Sequence, residues 1–432
     1  MTKKSENWMR SLRDLSNSTI QNYRQAVNLY EEYHSRTMDD LLKEALDEQS
    51  DRVAEHELKI YDRILDFRQS LIDEGRKASG VGTYITRIKT VYKKNRVRIP
   101  YIPPINQIKA NHSPVIRFED YLTKDELKKG IEYLPLIMKA RMLAMVTGGL
   151  SNDECMHLTT DQFIDSLFDY HRVDVATEVA KLETLTDKDE ILNQKQVIKD
   201  LRTKALKILA DRDDVLWLIC IKRGKTGKPF YAIMNPECVQ MTAMAKLEEV
   251  KPLRYGKLPR DFDARLYPTT KDYFGDCCRR INDGLGFGMA GGRTRFRPHM
   301  FRKFHATSVK GNYHIGDNGL TANEVDELQG RGMTGVQERY IKANPKKQKL
   351  LYCQVINNVS LWHKYDYVVE DDDIRLIVVD DEEKTKKLEK ENEKLKKKLE
   401  KSQDIREDVK EFISDKGIDE VADLVAQLLS HS

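Results

Sequence analysis

Arg297-Pro-His-Met-Phe-Arg-Lys-Phe-His-Ala306 and, further along, Leu328-Gln-Gly-Arg-Gly-Met-Thr-Gly-Val-Gln-Glu-Arg-Tyr340 decide how this chain reads. His299 and Arg302 are three residues apart, so a helix over this stretch carries both on one face. Arg331 precedes Tyr340 by nine residues, with a Gly-rich turn between them. Two cations, an imidazole and a phenol in that order suit attack on a phosphodiester. Arginine presents a planar fork that holds two phosphate oxygens at once. Histidine moves protons near neutral pH, and tyrosine can be the covalent nucleophile.

Working outward, 432 residues exceed one small core and predict two or three domains. A net charge of +4 on 33% charged residues is only mildly basic, so a nucleic-acid partner must be sought where charges cluster. The six cysteines are scattered without a Cys-x-x-Cys pattern, which argues against a zinc site and a disulfide framework. No metal or cofactor is expected. The start, Met-Thr-Lys-Lys-Ser-Glu, has no apolar h-region, and no apolar run approaches bilayer length. The reading is a soluble, reduced, cytoplasmic protein with no membrane partner.

Residues 8–105 read as a small helical domain. Ser18 and Thr19 are N-cap candidates for a helix whose apolar stripe is Ile20, Tyr23, Val27, Tyr30 and Tyr33. A second helix begins near Ser79 with Tyr84, Ile85, Ile88, Val91 and Tyr92 on one face. Arg87, Lys89, Lys93 and Lys94 occupy the others. Those cations form either a solvated face or a surface for phosphates. Ile99-Pro-Tyr-Ile-Pro-Pro-Ile105 reads as an extended linker. The second domain, 118–365, begins before a helix capped by Thr123 with Glu126 as reciprocal partner. A buried helix is expected over 135–147, and a charged helical insertion over about 165–213. Val215-Leu-Trp-Leu-Ile-Cys-Ile221 and Pro229-Phe-Tyr-Ala-Ile-Met234 read as hairpin strands around a Lys-rich turn. A Walker phosphate loop is absent.

The Gly-rich loop Gly286–Gly292 delivers Arg293, Arg295 and Arg297 just ahead of His299, where a phosphate-facing role is expected. His305 reads as packing or capping. Ile374–Val379 reads as a short edge strand with charged ends. Beyond it, Leu388, Asn392, Leu395 and Leu399 have heptad spacing, which predicts coiled-coil dimerisation or a single solvated helix. Further amphipathic helices complete a tail over 381–432.

The two opening stretches resemble the tyrosine recombinases, the site-specific DNA integrases, and most closely their archaeal and viral branch. The resemblance covers roughly residues 8–365. It includes a Leu-Ser-x-x-Thr-Ile-x-x-Tyr start and a Tyr-Ile-x-x-Ile-Lys helix similar to the family's core-binding, SAM-like domain. It implies a mostly α fold with a small β-sheet, made of a helical DNA-binding domain and an α/β catalytic domain; the helical or coiled-coil tail lies outside the resemblance. The implied partner is double-stranded DNA, with self-association in an oligomeric synapse. The implied chemistry cuts and rejoins DNA through a 3′-phosphotyrosyl link. Tyr340 would be the nucleophile, Arg302 and Arg331 would hold the phosphate, and His299 would shuttle protons. On the hairpin turn the family has a catalytic lysine that protonates the leaving 5′ oxygen. Lys225 matches best, with Lys222 and Lys228 as alternatives. Phosphate contacts would fall to Lys89, Lys93 and Lys94 in the first domain.

Two positions depart from or compete with this pattern. Aligning Gly148-Gly-Leu-Ser-Asn-Asp-Glu154 on the family's Thr-Gly-Leu-Arg-x-x-Glu puts Ser151 where the first catalytic arginine belongs. Arg141 reads first as an ordinary helix-surface arginine, and as a substitute by proximity in sequence only. Tyr352 is a rival nucleophile, although Leu350, Leu351 and Val355 around it suggest a packed ring. Ser151 keeps open a DNA-binding protein that no longer cuts, and the tail keeps open a coiled-coil scaffold.

Overall fold

The computed structural model describes residues 7–54, 57–105, 114–223, 227–249, 262–311, 319–331, 344–370 and 373–379. Tyr340, Lys225 and the heptad residues Leu388, Asn392, Leu395 and Leu399 lie outside the described residues. The fold is mostly helical with small antiparallel sheets. The chain divides into two compact units, Met1–Ile116 and Arg117–Ser432.

In the first unit, a 3-10 turn at Asn7–Leu12 precedes α1 (Asn17–His34), α2 (Met38–Ser50), α3 (Lys59–Asp73) and α4 (Ala78–Lys94). Ser16, rather than Ser18 or Thr19, caps α1. Its backbone is extended and its hydroxyl accepts the Thr19 N–H at 3.4 Å. An N-cap must stay extended while its successor turns helical, and Ser16 meets that condition. Val27 and Tyr30 of the expected stripe are buried, whereas Tyr33 is 45% exposed and falls off its edge. Ile85, Ile88, Val91 and Tyr92 of α4 enter the same core beside Trp8 and Phe67. The hydroxyls of Tyr30 and Tyr92 meet at 3.3 Å inside it, and burial pushes Tyr92 up to about 12. The outer side of α4 keeps Lys93 and Lys94 exposed and Lys89 half-buried.

The second unit opens on α5 (Lys124–Glu132). Thr123 and Glu126 form the expected capping box, with Thr123 N–H donating to Glu126 at 2.9 Å and the return bond at 3.2 Å. α6 (Leu136–Thr147), apolar except for Lys139 and Arg141, is buried from Ala140 onward and packs against α12 (Pro236–Glu249) and α14 (Pro298–Val309). Between them run α7 (Asn152–His157), α8 (Thr160–Asp165), α9 (Phe168–His171), α10 (Ala176–Thr184) and α11 (Lys188–Ala210). α11 anchors this charged region by burying Ile198, Ala205, Leu206 and Leu209.

β1 (Trp217–Lys222) and β2 (Pro229–Met234) pair antiparallel with Trp217 opposite Met234 and Lys222 opposite Pro229. α13 (Lys271–Gly284) leads to the short hairpin of β3 (Met289–Ala290) and β4 (Arg293–Thr294), which feeds α14. α15 (Ala322–Leu328) and a closing helix, Pro345–Val359, follow. The edge strand expected over 374–379 is β6 (Asp373–Val378), which pairs with β5 (Tyr365–Glu370). The single small sheet of the sequence reading is, among the described residues, three separate two-stranded sheets.

Glu237, in the first turn of α12, holds the segment after the closing helix. Its carboxylate is buried and accepts the N–H groups of Leu361 at 2.8 Å, Trp362 at 2.7 Å and His363 at 2.8 Å. Glu237→Gln replaces one acceptor oxygen by a donor that faces those N–H groups. It is expected to lower unfolding stability by about 2–3 kcal/mol, read as a fall in the urea midpoint. An unchanged midpoint would mean that this anchor contributes nothing.

Candidate active site

Pro298 at the first position of α14 sets the helical φ without losing a hydrogen bond, and it starts the helix at the functional stretch. Met300, Phe301 and Phe304 then bury the helix in the core and hold His299 and Arg302 one turn apart. Arg302 is buried. Its Nη1 donates to Glu154 Oε2 at 2.7 Å and its Nη2 to the Gln329 carbonyl at 2.6 Å. Glu154 Oε2 also accepts the Ser151 N–H at 2.7 Å. One carboxylate oxygen thus joins Ser151 to Arg302. Ser151 itself is the N-cap of α7, its hydroxyl accepting the Glu154 N–H at 3.2 Å.

Just after α15, Gln329, Gly330 and Arg331 form the opposite wall. Gly330 has φ +57°, and a Cβ there would run into the Phe230 ring of β2, so glycine is required. Its carbonyl accepts Arg223 Nη1 at 2.7 Å. Arg223 follows β1, and its N–H closes the hairpin onto the Lys228 carbonyl at 2.9 Å. Adjacent carbonyls, of Gln329 and Gly330, therefore take guanidinium groups from a helix and from a hairpin. Arg331 follows at once, with a long contact of 3.5 Å to Asp326. Burial depresses the Arg302 pKa, Glu154 opposes this, and the charges of Arg331 and Arg223 push it further down.

The other expected residues divide by environment. His299 reaches solvent, yet partial burial and the charges of Lys303, Arg297, Arg302 and Arg293 lower its pKa. Burial and these cations favour the neutral imidazole over the charged one. Arg293 is exposed. Arg295 turns inward instead. Its fork donates to the carbonyls of Asp120 at 3.1 Å, Phe287 at 3.1 Å and Tyr121 at 3.0 Å, and to Glu126 at 2.8 Å. Arg297 donates to the Thr294 carbonyl and, at 3.4 Å, to that of Ala290. Among the described hairpin lysines, Lys222 and Lys228 are exposed.

Arg141 is not a helix-surface residue. It is fully buried, with Nη1 on the Thr269 carbonyl at 2.8 Å and Nη2 on the Asn152 carbonyl at 3.0 Å, above the Phe274 ring. One arm thus ties the residue before the cap of α13 to α6, and the other ties the start of α7 to it. Tyr352 is fully buried and donates its hydroxyl to the Thr147 carbonyl at 2.8 Å. Burial raises its pKa well above the ordinary phenol value, the reverse of what a nucleophile needs. Arg223 escaped the sequence reading, which weighed only the lysines of that turn. Its signal was available: it is the one forked cation among point charges.

His305 packs, as expected. Its Nδ1 lies 3.2 Å from the Val146 carbonyl, and burial lowers its pKa to about 3. A pKa below the unfolded value means that the folded state binds fewer protons. This contribution is intact above pH 6.5 and is lost progressively as pH falls from 6.5 towards about 3. The stability advantage of the wild type over His305→Gln is therefore expected to shrink steadily between pH 6.5 and 4.5 in urea titrations. A constant difference would rule out His305 as a source of acid sensitivity.

No family model and no curated relative matches the chain. Solved structures with some likeness are tyrosine recombinases and integrases. A XerA recombinase is 17% identical, with 80% of this chain and 94% of that chain covered and a TM-score of 0.27. The Tn1549 transposon integrase in complex with transposon right-end DNA is 10% identical, with 79% and 94% covered and a TM-score of 0.44. A lambda integrase dimer bound to a COC′ core site is 12% identical, with 77% and 75% covered and a TM-score of 0.40.

Proposed function

We propose that this chain is a site-specific DNA recombinase or integrase that breaks and rejoins duplex DNA through a 3′-phosphotyrosyl intermediate. The observation that carries the reading is the Arg302 guanidinium, held rigidly between Glu154 and the Gln329 carbonyl with Arg331 beside it. A cation fixed before the substrate arrives stabilises charge that develops on a phosphoryl group without reorganising. The order and spacing of His299, Arg302, Arg331 and Tyr340 support the same chemistry.

In this mechanism the Tyr340 oxygen attacks phosphorus and the bond to the 5′ oxygen breaks. The neutral His299 accepts the phenol proton, and Lys225 gives a proton to the departing oxygen. Arg302 and Arg331 hold the non-bridging oxygens through the pentavalent stage. The phosphotyrosyl link conserves the bond energy, so a 5′ hydroxyl can reverse the step without ATP. Lys89, Lys93, Lys94, Arg293 and Arg297 are proposed to contact DNA backbone. Arg295 is left out because protein acceptors occupy its fork. Self-association on DNA and coiled-coil pairing through Leu388, Asn392, Leu395 and Leu399 belong to the same proposal.

A second reading is favoured by Ser151, whose amide and hydroxyl both serve the cap of α7. On that reading the protein binds DNA and does not cut it. A supercoiled plasmid carrying the encoding gene and its flanking sequence separates the two. Breaking and rejoining predicts relaxed topoisomers in EDTA without ATP. Binding with no relaxation supports the second reading.

A further inference from the structure

Replacing an arginine by serine at position 151 removes a fixed positive charge from the phosphate site, and a hydroxyl already engaged in a helix cap cannot supply one. The structure offers other cations, and most are excluded by their partners. Arg141 is buried with two bonds on each arm, to Thr269 and Asn152, and Arg295 makes four bonds, to three carbonyls and Glu126. Arg297 places Nη1 on the carbonyls of Ala290 and Thr294 and has no described bond to Gln329 or Gly330. Arg223 differs from all three. It comes from the β1–β2 hairpin, is half-buried, and is aimed by a single described bond to the Gly330 carbonyl. The neighbouring carbonyl binds Arg302.

We infer that Arg223 supplies the guanidinium absent at Ser151, gripping the non-bridging oxygens of the scissile phosphodiester together with Arg302 and Arg331. This assignment rests on the proposed phosphodiester chemistry for its substrate, but the anion seat itself does not. Three guanidinium groups gather on the consecutive residues Gln329, Gly330 and Arg331. The carboxylates described against them are Glu154, bonded to Arg302, and Asp326, at 3.5 Å from Arg331. Among the described residues no carboxylate pairs with Arg223, so the cluster holds excess positive charge that a phosphate would neutralise.

The geometry also explains how a residue on a hairpin can be held firmly enough. Arg223 N–H bonds to the Lys228 carbonyl across the turn, and the Gly330 carbonyl fixes one arm of the fork. A guanidinium carries five N–H donors, so a fork fixed by one of them retains others for the substrate. Phe230, on the neighbouring strand, packs against Gly330 and ties the hairpin to that same wall. The function lost from the loop before α7 has been supplied from another element that converges on the same carboxylate-bridged arginine.

Two measurements test Arg223 as a residue that touches phosphate. The first uses orthovanadate, an anion with the shape and charge of a transferring phosphoryl group, titrated calorimetrically into the full chain. Wild type is expected to bind it, Arg223→Gln at least ten-fold more weakly, and Arg223→Lys between them. No binding by wild type, or equal binding by Arg223→Gln, overturns the assignment. The second uses nicked duplexes from the gene's own flanks and follows a denaturant-resistant protein–DNA adduct. Arg223→Gln is expected to form it about 100-fold more slowly at saturating DNA, the scale of losing one preorganised hydrogen-bond donor to a developing oxyanion. Ser151→Arg added to Arg223→Gln is expected to restore the rate. An adduct rate in Arg223→Gln equal to wild type overturns the inference while leaving the recombinase reading intact. No adduct from wild type, with vanadate binding lost in Arg223→Gln, overturns the recombinase reading and leaves the anion seat standing.

Discussion

Arg302→Ala is expected to destabilise the second unit by roughly 3–5 kcal/mol and to abolish covalent attachment to DNA. The residue is buried, and its removal strands two groups. Glu154 keeps only the Ser151 N–H on its bridging oxygen, and the Gln329 carbonyl loses its donor. An uncompensated carboxylate in the interior is among the larger single-residue penalties a domain can carry. Urea unfolding measures the first part directly. Since an unfolded variant also fails to react, Arg302→Lys is the companion. Lysine keeps the charge and loses the fork, so it cannot bond Glu154 and Gln329 in the same geometry. A folded Arg302→Lys protein with an adduct rate lowered about 100-fold or more would assign Arg302 a role beyond packing. A folded variant with the wild-type rate would remove it from the mechanism.

The second large effect belongs to the tyrosines. Tyr340→Phe is expected to eliminate the DNA adduct entirely while leaving DNA affinity and the urea midpoint unchanged, since it deletes one oxygen from the proposed nucleophile. Tyr352→Phe is expected to do the reverse. It removes the hydroxyl that donates to the Thr147 carbonyl, costing about 1 kcal/mol of stability, and leaves the adduct in place. The opposite pattern would make the buried ring the reactive one, against the direction of its pKa.

What could be read without coordinates was whatever local chemistry decides. The Thr123–Glu126 capping box, the buried apolar helix of Leu136–Thr147 and the strands flanking the Lys-rich turn follow from spacing within a few residues. His299 and Arg302 share a helix face for the same reason. The failures concern partners that only tertiary structure supplies. Arg295 and Arg297 alternate in sequence ahead of His299, yet Arg295 meets Asp120, Tyr121 and Glu126, far away in the chain. Nothing local distinguishes an arginine that faces phosphate from one that staples a hairpin to α5.

Arg141 is the same case. A buried guanidinium depends on Thr269 and Asn152 being in reach, which periodicity does not encode. Arg223 was hidden by the lysines around it, and its significance appears only when Gly330 arrives beside it. The cap of α1 was misplaced by a few residues because Ser16, Ser18 and Thr19 all carry hydroxyls, and backbone conformation alone selects Ser16. β5 was missed because its pairing with β6 is what makes Tyr365–Glu370 a strand.

The central claim is that this chain, with serine at position 151, still cuts DNA through Tyr340. Mapping the DNA-linked peptide tests it most directly. Wild-type protein is incubated with nicked duplexes from the gene's flanks, denatured, digested with protease and nuclease, and sequenced by mass spectrometry. The predicted result is a nucleotide remnant on Tyr340. A remnant on any other residue, or no remnant on DNA that the protein demonstrably binds, contradicts it.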